Sequence, residues 1–108
     1  MLGVNRVSLI MSIIKKEKPR NEYMRKYYKE KIASLPKGVI VEKQVGNHTY
    51  YYLKYRRGSK VITDYIGKES EKADEIRMKV EKRKHFEAML SELNKEYEMI
   101  EKMLEAEK

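Results

Sequence analysis

The side chains that most often carry out chemistry in proteins are sparse in this sequence. It contains no Cys, and its two histidines, His48 and His85, lie far apart along the chain. Disulfides, thiolate nucleophiles and cysteine zinc sites are thereby excluded, and no metal site is predicted. Glu42 and Asp64 accompany no nucleophile and no phosphate-binding glycine loop. We therefore predict a protein without catalytic residues or cofactors, and a small enzyme is the least favoured alternative.

Cations and tyrosines alternate in the central part of the chain, and this pattern is typical of nucleic-acid binding. Lys and Arg neutralise phosphates and release counterions, whereas Tyr offers a ring for stacking and a hydroxyl donor. The candidate nucleic-acid-binding residues are Lys43, Tyr50, Tyr52, Lys54, Arg56, Arg57, Lys60 and Tyr65.

Three short strands are predicted to position these residues within 38–67. The strands are rich in Val, Ile and Tyr, which fit a pleated surface. Gly46-Asn47 and Gly58-Ser59 separate them, and both dipeptides are signals for two-residue hairpin loops. The spacing leaves no room for crossover connections, so we predict a three-stranded antiparallel meander.

Counting through two-residue loops gives the pairing of the strands. The predicted opposite pairs are Lys43 with Tyr50, Val41 with Tyr52, Val39 with Lys54, Lys54 with Thr63, Tyr52 with Tyr65, and Arg56 with Val61. Because side chains alternate between faces, one face carries no acid. We call it the basic-aromatic face, and its members are Val39, Val41, Lys43, Val45, His48, Tyr50, Tyr52, Lys54, Arg56, Val61, Thr63 and Tyr65.

The opposite face carries Leu53 and Ile62, and we expect it to pack on the long helix. An equally weighted alternative treats the basic-aromatic face as an ordinary half-buried sheet surface, because Tyr is common in small sheets. A register error of one residue would exchange the two faces.

Two helices are predicted to flank the meander in sequence, giving one α+β domain over residues 1–108. Residues 20–35 form a helix with Pro19 in its first turn and Pro36 at its end. Residues 1–18 are expected to be flexible, with a shorter helix over 6–17 as the alternative. Residues 69–107 form one long helix that begins near Ser70.

The long helix carries an apolar seam whose spacing alternates between four and three residues, as in a coiled coil. The seam residues are Phe86, Leu90, Leu93, Tyr97, Ile100 and Leu104. We expect this seam to pack on the N-terminal helix, on a second copy in a homodimer, or on a protein partner.

The net charge of +8 is unevenly distributed along the 108 residues. Residues 1–37 carry +7, residues 38–68 carry +4, and residues 69–108 carry −3. This asymmetry indicates a polyanionic partner for the first two thirds of the chain. No apolar run approaches the ~20 residues of a membrane span, so we predict a cytoplasmic protein that starts at Met1 or Met11.

Three segments carry a resemblance to known proteins: Leu35–Val39, Asn47–Gly58 and Lys60–Lys68. They combine an aromatic strand, a basic Gly turn and a strand closing on Tyr-Ile-Gly. This pattern resembles a family of small, uncharacterised bacterial proteins and is similar to the N-terminal segments of some transposases. The resemblance covers about residues 35–68. It implies a mobile-element setting and favours DNA as the partner, and we expect the protein to be encoded by a phage or a transposon. It transfers no catalytic residue.

The leading hypothesis is a small non-enzymatic nucleic-acid-binding protein, with DNA favoured over RNA. The alternative is a protein-interaction module, such as a phage-encoded inhibitor of a host nuclease or defence complex.

Overall fold

The computed structural model describes residues 6–107 as two helices and three strands. In chain order they are α1 (Arg6–Ala33), β1 (Val39–Val45), β2 (His48–Arg57), β3 (Lys60–Gly67) and α2 (Ser70–Glu107). The predicted α+β architecture, with a central meander and a long C-terminal helix, is confirmed.

The three strands form one antiparallel sheet in the order β1-β2-β3. Every strand pair predicted by counting is observed, from Lys43 opposite Tyr50 to Arg56 opposite Val61. The two-residue loops fix this register. Gly46 and Gly58 each take a φ of 62°, the left-handed conformation that Gly supplies at the first loop position of a type II′ turn.

A β-bulge interrupts the regular pairing near the end of β3. Tyr52 pairs with Tyr65, but its neighbour Tyr51 pairs with Gly67, so Ile66 is an extra residue in β3. An extra residue shifts the alternation of side chains between faces by one position. The bulge therefore brings Lys68, one position beyond β3, to the side of the sheet that carries Tyr50.

The chain divides into two compact units. The first contains α1 up to Lys31 together with α2 from Phe86 onward, and the second runs from Ile32 to His85. Each unit therefore contains one part of α2, residues 70–85 in the second and residues 86–107 in the first.

In the first unit, the apolar seam of α2 packs on α1. Leu93 and Ile100 are buried, and Phe86, Leu90, Tyr97 and Leu104 are half-buried. The rings of Tyr28 and Phe86 lie 5.5 Å apart. Of the three partners expected for the seam, the structure shows the N-terminal helix.

Helix α1 continues through Pro19, where we expected a boundary between two helices. Residues 6–18, expected to be flexible, form its first half, and residues 1–5 lie outside the described residues. A proline inside a helix costs about 3 kcal/mol. Two ion pairs join α1 to α2 near Pro19, Lys15 with Glu107 at 3.1 Å and Lys18 with Glu101 at 2.7 Å. Both pairs are exposed, so each contributes at most about 1 kcal/mol.

In the second unit, the face of the sheet opposite the basic-aromatic face meets α2. Ile40 and Val80 line one cavity of about 180 Å³, and Leu53 and Arg83 line another of about 290 Å³. The Nη1 of Arg83 also donates a hydrogen bond of 2.6 Å to the carbonyl oxygen of Leu35. The helix therefore covers one side of the sheet, as predicted.

Within residues 6–107, no helix combines the length and the apolar character that crossing a bilayer requires.

Candidate nucleic-acid interface

The basic-aromatic face is open to solvent. All of its twelve members are exposed except Tyr50 and Tyr52, which are half-buried on the central strand. Tyr65, on the outer strand β3, exposes 56% of its surface. This side of the sheet is therefore available to a partner.

Four aromatic rings form a continuous row on this face. Tyr65 lies between Tyr52, at a centroid distance of 5.4 Å, and Tyr50, at 6.4 Å. His48 extends the row beyond Tyr50 at 6.3 Å. The rings are tilted against one another by 44° to 58°, so none of these pairs is stacked face to face.

Exposed cations lie on both sides of the aromatic row. Lys43 is the cross-strand partner of Tyr50, and Lys54 and Arg56 follow Tyr52 on the same face of β2. The Nζ of Lys68 lies 5.5 Å from the centre of the Tyr50 ring. No acidic residue occupies any of the twelve positions of the face, so its local charge is positive.

Two of the predicted binding residues point away from this face. The Nη2 of Arg57 donates a hydrogen bond of 3.3 Å to the hydroxyl oxygen of Tyr55. Tyr55 belongs to the opposite face, and Lys60 is the cross-strand partner of Arg57. The structure thus groups Lys43, Tyr50, Tyr52, Lys54, Arg56 and Tyr65, whereas Arg57 and Lys60 lie at the turn on the other side of the sheet.

The nearest acid of β3 is engaged on that opposite side. Tyr55 donates a hydrogen bond of 2.9 Å from its hydroxyl to Oδ2 of Asp64. This hydrogen bond to the carboxylate raises the pKa of Tyr55 above its ordinary value of 10.0. The negative charge of Asp64 is therefore directed away from the basic-aromatic face.

Lys68 is a binding candidate that the simple alternation of side chains misses. Without a bulge, Lys68 would belong to the opposite face. The sequence does hold one signal, because an isolated Gly in a strand pattern often marks a bulge, and Gly67 precedes Lys68.

The same face also exposes apolar surface. Val39, Val41, Val45 and Val61 are all exposed. Val39, Val41 and Val61 line a shallow depression of about 510 Å³ together with Lys54 and Arg56. A planar, largely apolar group carrying a negative charge would find both kinds of contact there.

Among residues 6–107, no three His or carboxylate side chains converge as metal ligands do.

Comparison with protein families gives one match. Residues 14–78, more than half of the chain, match the family described as "Domain of unknown function (DUF6788)". The chain belongs to this family. The DUF6788 match includes the whole sheet, and with it every residue of the basic-aromatic face and Lys68, whereas the seam from Phe86 onward lies outside it. Comparisons with curated proteins and with solved structures found no match.

Proposed function

We propose that this DUF6788 protein is a non-enzymatic nucleic-acid-binding protein that contacts phosphates through the basic-aromatic face. The observation that carries the proposal is the exposed, acid-free sheet face on which cations lie on both sides of a tyrosine row.

The charge of the face suits a polyanion. Lys43, Lys54, Arg56 and Lys68 place four cations on one side of a three-stranded sheet. Each cation that neutralises a phosphate releases condensed counterions, which is the main source of sequence-independent affinity. The tyrosine hydroxyls add hydrogen-bond donors for phosphates and sugars.

The resemblance to transposase N-terminal segments favours DNA over RNA and a mobile-element role. We further propose a phage or transposon origin and a cytoplasmic location. The resembling segments lie within residues 35–68, the region that carries the basic-aromatic face.

A charge-reversal pair tests this function. We expect the double variant Lys54→Glu/Arg56→Glu to lose most of the affinity for a labelled DNA oligonucleotide in fluorescence anisotropy. The matched control is Lys72→Glu/Lys79→Glu, which makes the same change of charge at two exposed positions of α2. Binding should also weaken steeply between about 50 and 200 mM salt. Absence of binding at low salt, or equal losses in both variants, would refute the proposal.

A protein-interaction module is the second candidate, because α1 exposes neighbouring apolar side chains. Leu9, Ile10 and Ile13 each leave about half or more of their surface exposed, which is typical of contact sites when such residues are contiguous. In this alternative the basic chain occupies the nucleic-acid channel of a host nuclease. A stoichiometric protein partner that stays bound after nuclease treatment of a bacterial lysate would favour it.

A further inference from the structure

We infer that the basic-aromatic face binds an unpaired nucleic-acid strand, with bases stacked on the rings of Tyr50, Tyr52 and Tyr65. This inference rests on the proposed function and names the form of nucleic acid that the face recognises.

Along the direction of the β-strands, the basic-aromatic face carries an uncharged group of side chains between two groups that contain cations. Residues that lie opposite one another on the three strands form cross-strand rows, which are distinct from the row of aromatic rings. One such row contains Lys43, Tyr50 and Lys68, and another contains Lys54 and Thr63. Between these rows lies a third, formed by Val41, Tyr52 and Tyr65. The uncharged row is therefore bordered on both sides by cations.

The spacing of these rows suits an extended strand. Residues on the same face of a strand are two positions apart, so neighbouring rows are about 7 Å apart and the two charged rows about 14 Å. A single nucleic-acid strand that runs parallel to the β-strands can place phosphates at the two charged rows and leave one or two bases over the uncharged row between them.

The tyrosine rings are suited to contact base faces. Tyr65 is the most exposed of the three tyrosines on this face, and its ring is tilted by 54° against Tyr52 and 44° against Tyr50. Because Tyr65 exposes 56% of its surface and neither neighbour is stacked face to face on it, a planar group can reach this ring.

A duplex cannot stack its bases on these tyrosine rings. In a double helix the faces of the bases are stacked on each other every 3.4 Å, so a protein reaches only base edges and the backbone. The tyrosine rings lie 5.4 and 6.4 Å apart, further than the roughly 3.4 Å between stacked bases, so they do not continue the stack of a duplex. Unpaired strands expose their bases, and stacking on aromatic side chains is how many proteins bind them.

The width of the sheet also favours a single strand over a duplex. The major groove is about 12 Å wide and admits a two-stranded ribbon. Three strands at about 4.8 Å spacing measure about 10 Å between the outer strand axes, before any side chain is added. With the side chains of both outer strands added, the face of the sheet fills or exceeds the width of the groove, whereas a single strand can lie on it without that restriction.

The test compares three probes of one sequence: single-stranded DNA, single-stranded RNA and duplex DNA. At equal salt we expect the full chain to bind both single strands more tightly than the duplex, and the difference between DNA and RNA identifies the natural source. Tyr65→Leu should weaken single-strand binding about tenfold, whereas Tyr65→Phe, which keeps the ring, should bind nearly as well. Tyr23→Leu, at an exposed tyrosine of α1, is the matched control and should change nothing.

The outcomes separate this inference from the proposed function. Duplex binding as tight as single-strand binding would overturn the inference and leave the proposed function intact. A single-strand preference that survives Tyr65→Leu would also overturn it. No salt-dependent binding of any probe would overturn both.

Discussion

The side-chain amide of Asn21 donates a hydrogen bond of 2.9 Å to the backbone carbonyl oxygen of Leu93. Asn21 is fully buried, and its Oδ1 accepts a hydrogen bond of 2.8 Å from Nε of Arg25. Leu93 belongs to the apolar seam of α2, so a polar contact lies within an otherwise apolar helix interface. A buried polar group that is satisfied only in one alignment favours that alignment, and Asn21 thereby fixes how α1 lies along α2.

Removing this amide should destabilise the protein. We expect Asn21→Ala to lower the free energy of unfolding by about 1–3 kcal/mol, because the guanidinium of Arg25 loses its acceptor and a packed site is emptied. Urea unfolding followed by circular dichroism measures the change. Asn94→Ala is the matched control at an exposed position of α2, where the effect should stay within about 0.5 kcal/mol. Equal effects in the two variants would contradict the role of Asn21.

The guanidinium of Arg25 should also be coupled to Tyr97. Its Cζ lies 4.0 Å from the centre of the Tyr97 ring, which is a close cation–π geometry. A double-mutant cycle with Arg25→Met and Tyr97→Leu should give a coupling free energy of about 0.5–1 kcal/mol in urea unfolding. The pair Lys31 and Tyr27, separated by 5.5 Å, provides a more distant comparison that should couple less. A coupling of zero for Arg25 and Tyr97 would show that the contact contributes nothing.

The hydrogen bond between Tyr55 and Asp64 should make stability depend on alkaline pH. Because the pKa of Tyr55 is raised in the folded protein, the bond stabilises the fold fully below the ordinary tyrosine pKa. This contribution is lost as pH rises through the higher pKa of the folded state. Asp64→Asn should lower the pKa of Tyr55, as seen by NMR titration of the labelled tyrosine ring. Glu42→Gln removes the other acid of that sheet face and should leave it unchanged, and a Tyr55 pKa that ignores Asp64→Asn would refute the assignment.

Because of the bulge in β3, we expect Lys68 and Lys60, at the two ends of this strand, to contribute differently to nucleic-acid binding. Lys68 lies over Tyr50 on the basic-aromatic face, whereas Lys60 belongs to the opposite face. We expect Lys68→Glu to weaken binding of a single-stranded oligonucleotide and Lys60→Glu to weaken it much less. The slope of log K against log salt should become shallower by about 0.7 for each phosphate that is no longer neutralised. If Lys60→Glu has the larger effect, the binding surface is on the other side of the sheet.

The strand register could be predicted from the sequence because its determinants are local. A two-residue loop leaves only one way to pair the residues beside it, so Tyr52 had to lie opposite both Val41 and Tyr65. The seam of α2 was predictable for a similar reason, since its periodicity is written in residue types.

The packing of the two helices and the position of Lys68 depend on contacts between distant residues, which a local sequence pattern does not reveal. Periodicity shows which side of α2 is apolar but not which helix covers it. The contacts that the turns of α1 near Pro19 make with α2 are equally absent from a local pattern. The position of Lys68 depends on one unpaired residue, Ile66, which a count of alternating positions does not reveal.

That unpaired residue also makes the strand register, and not only the composition, a determinant of the binding surface. If Ile66 paired with Tyr51, the chain would keep every side chain and the same formal net charge, but β3 would present Lys68 to the side covered by α2. A deletion of Ile66 would instead leave Lys68 two positions after Tyr65 and on the same face. The position of the bulge therefore decides whether this cation joins the basic-aromatic face, so a shift of pairing at the end of β3 is a means of tuning affinity without any change in charge.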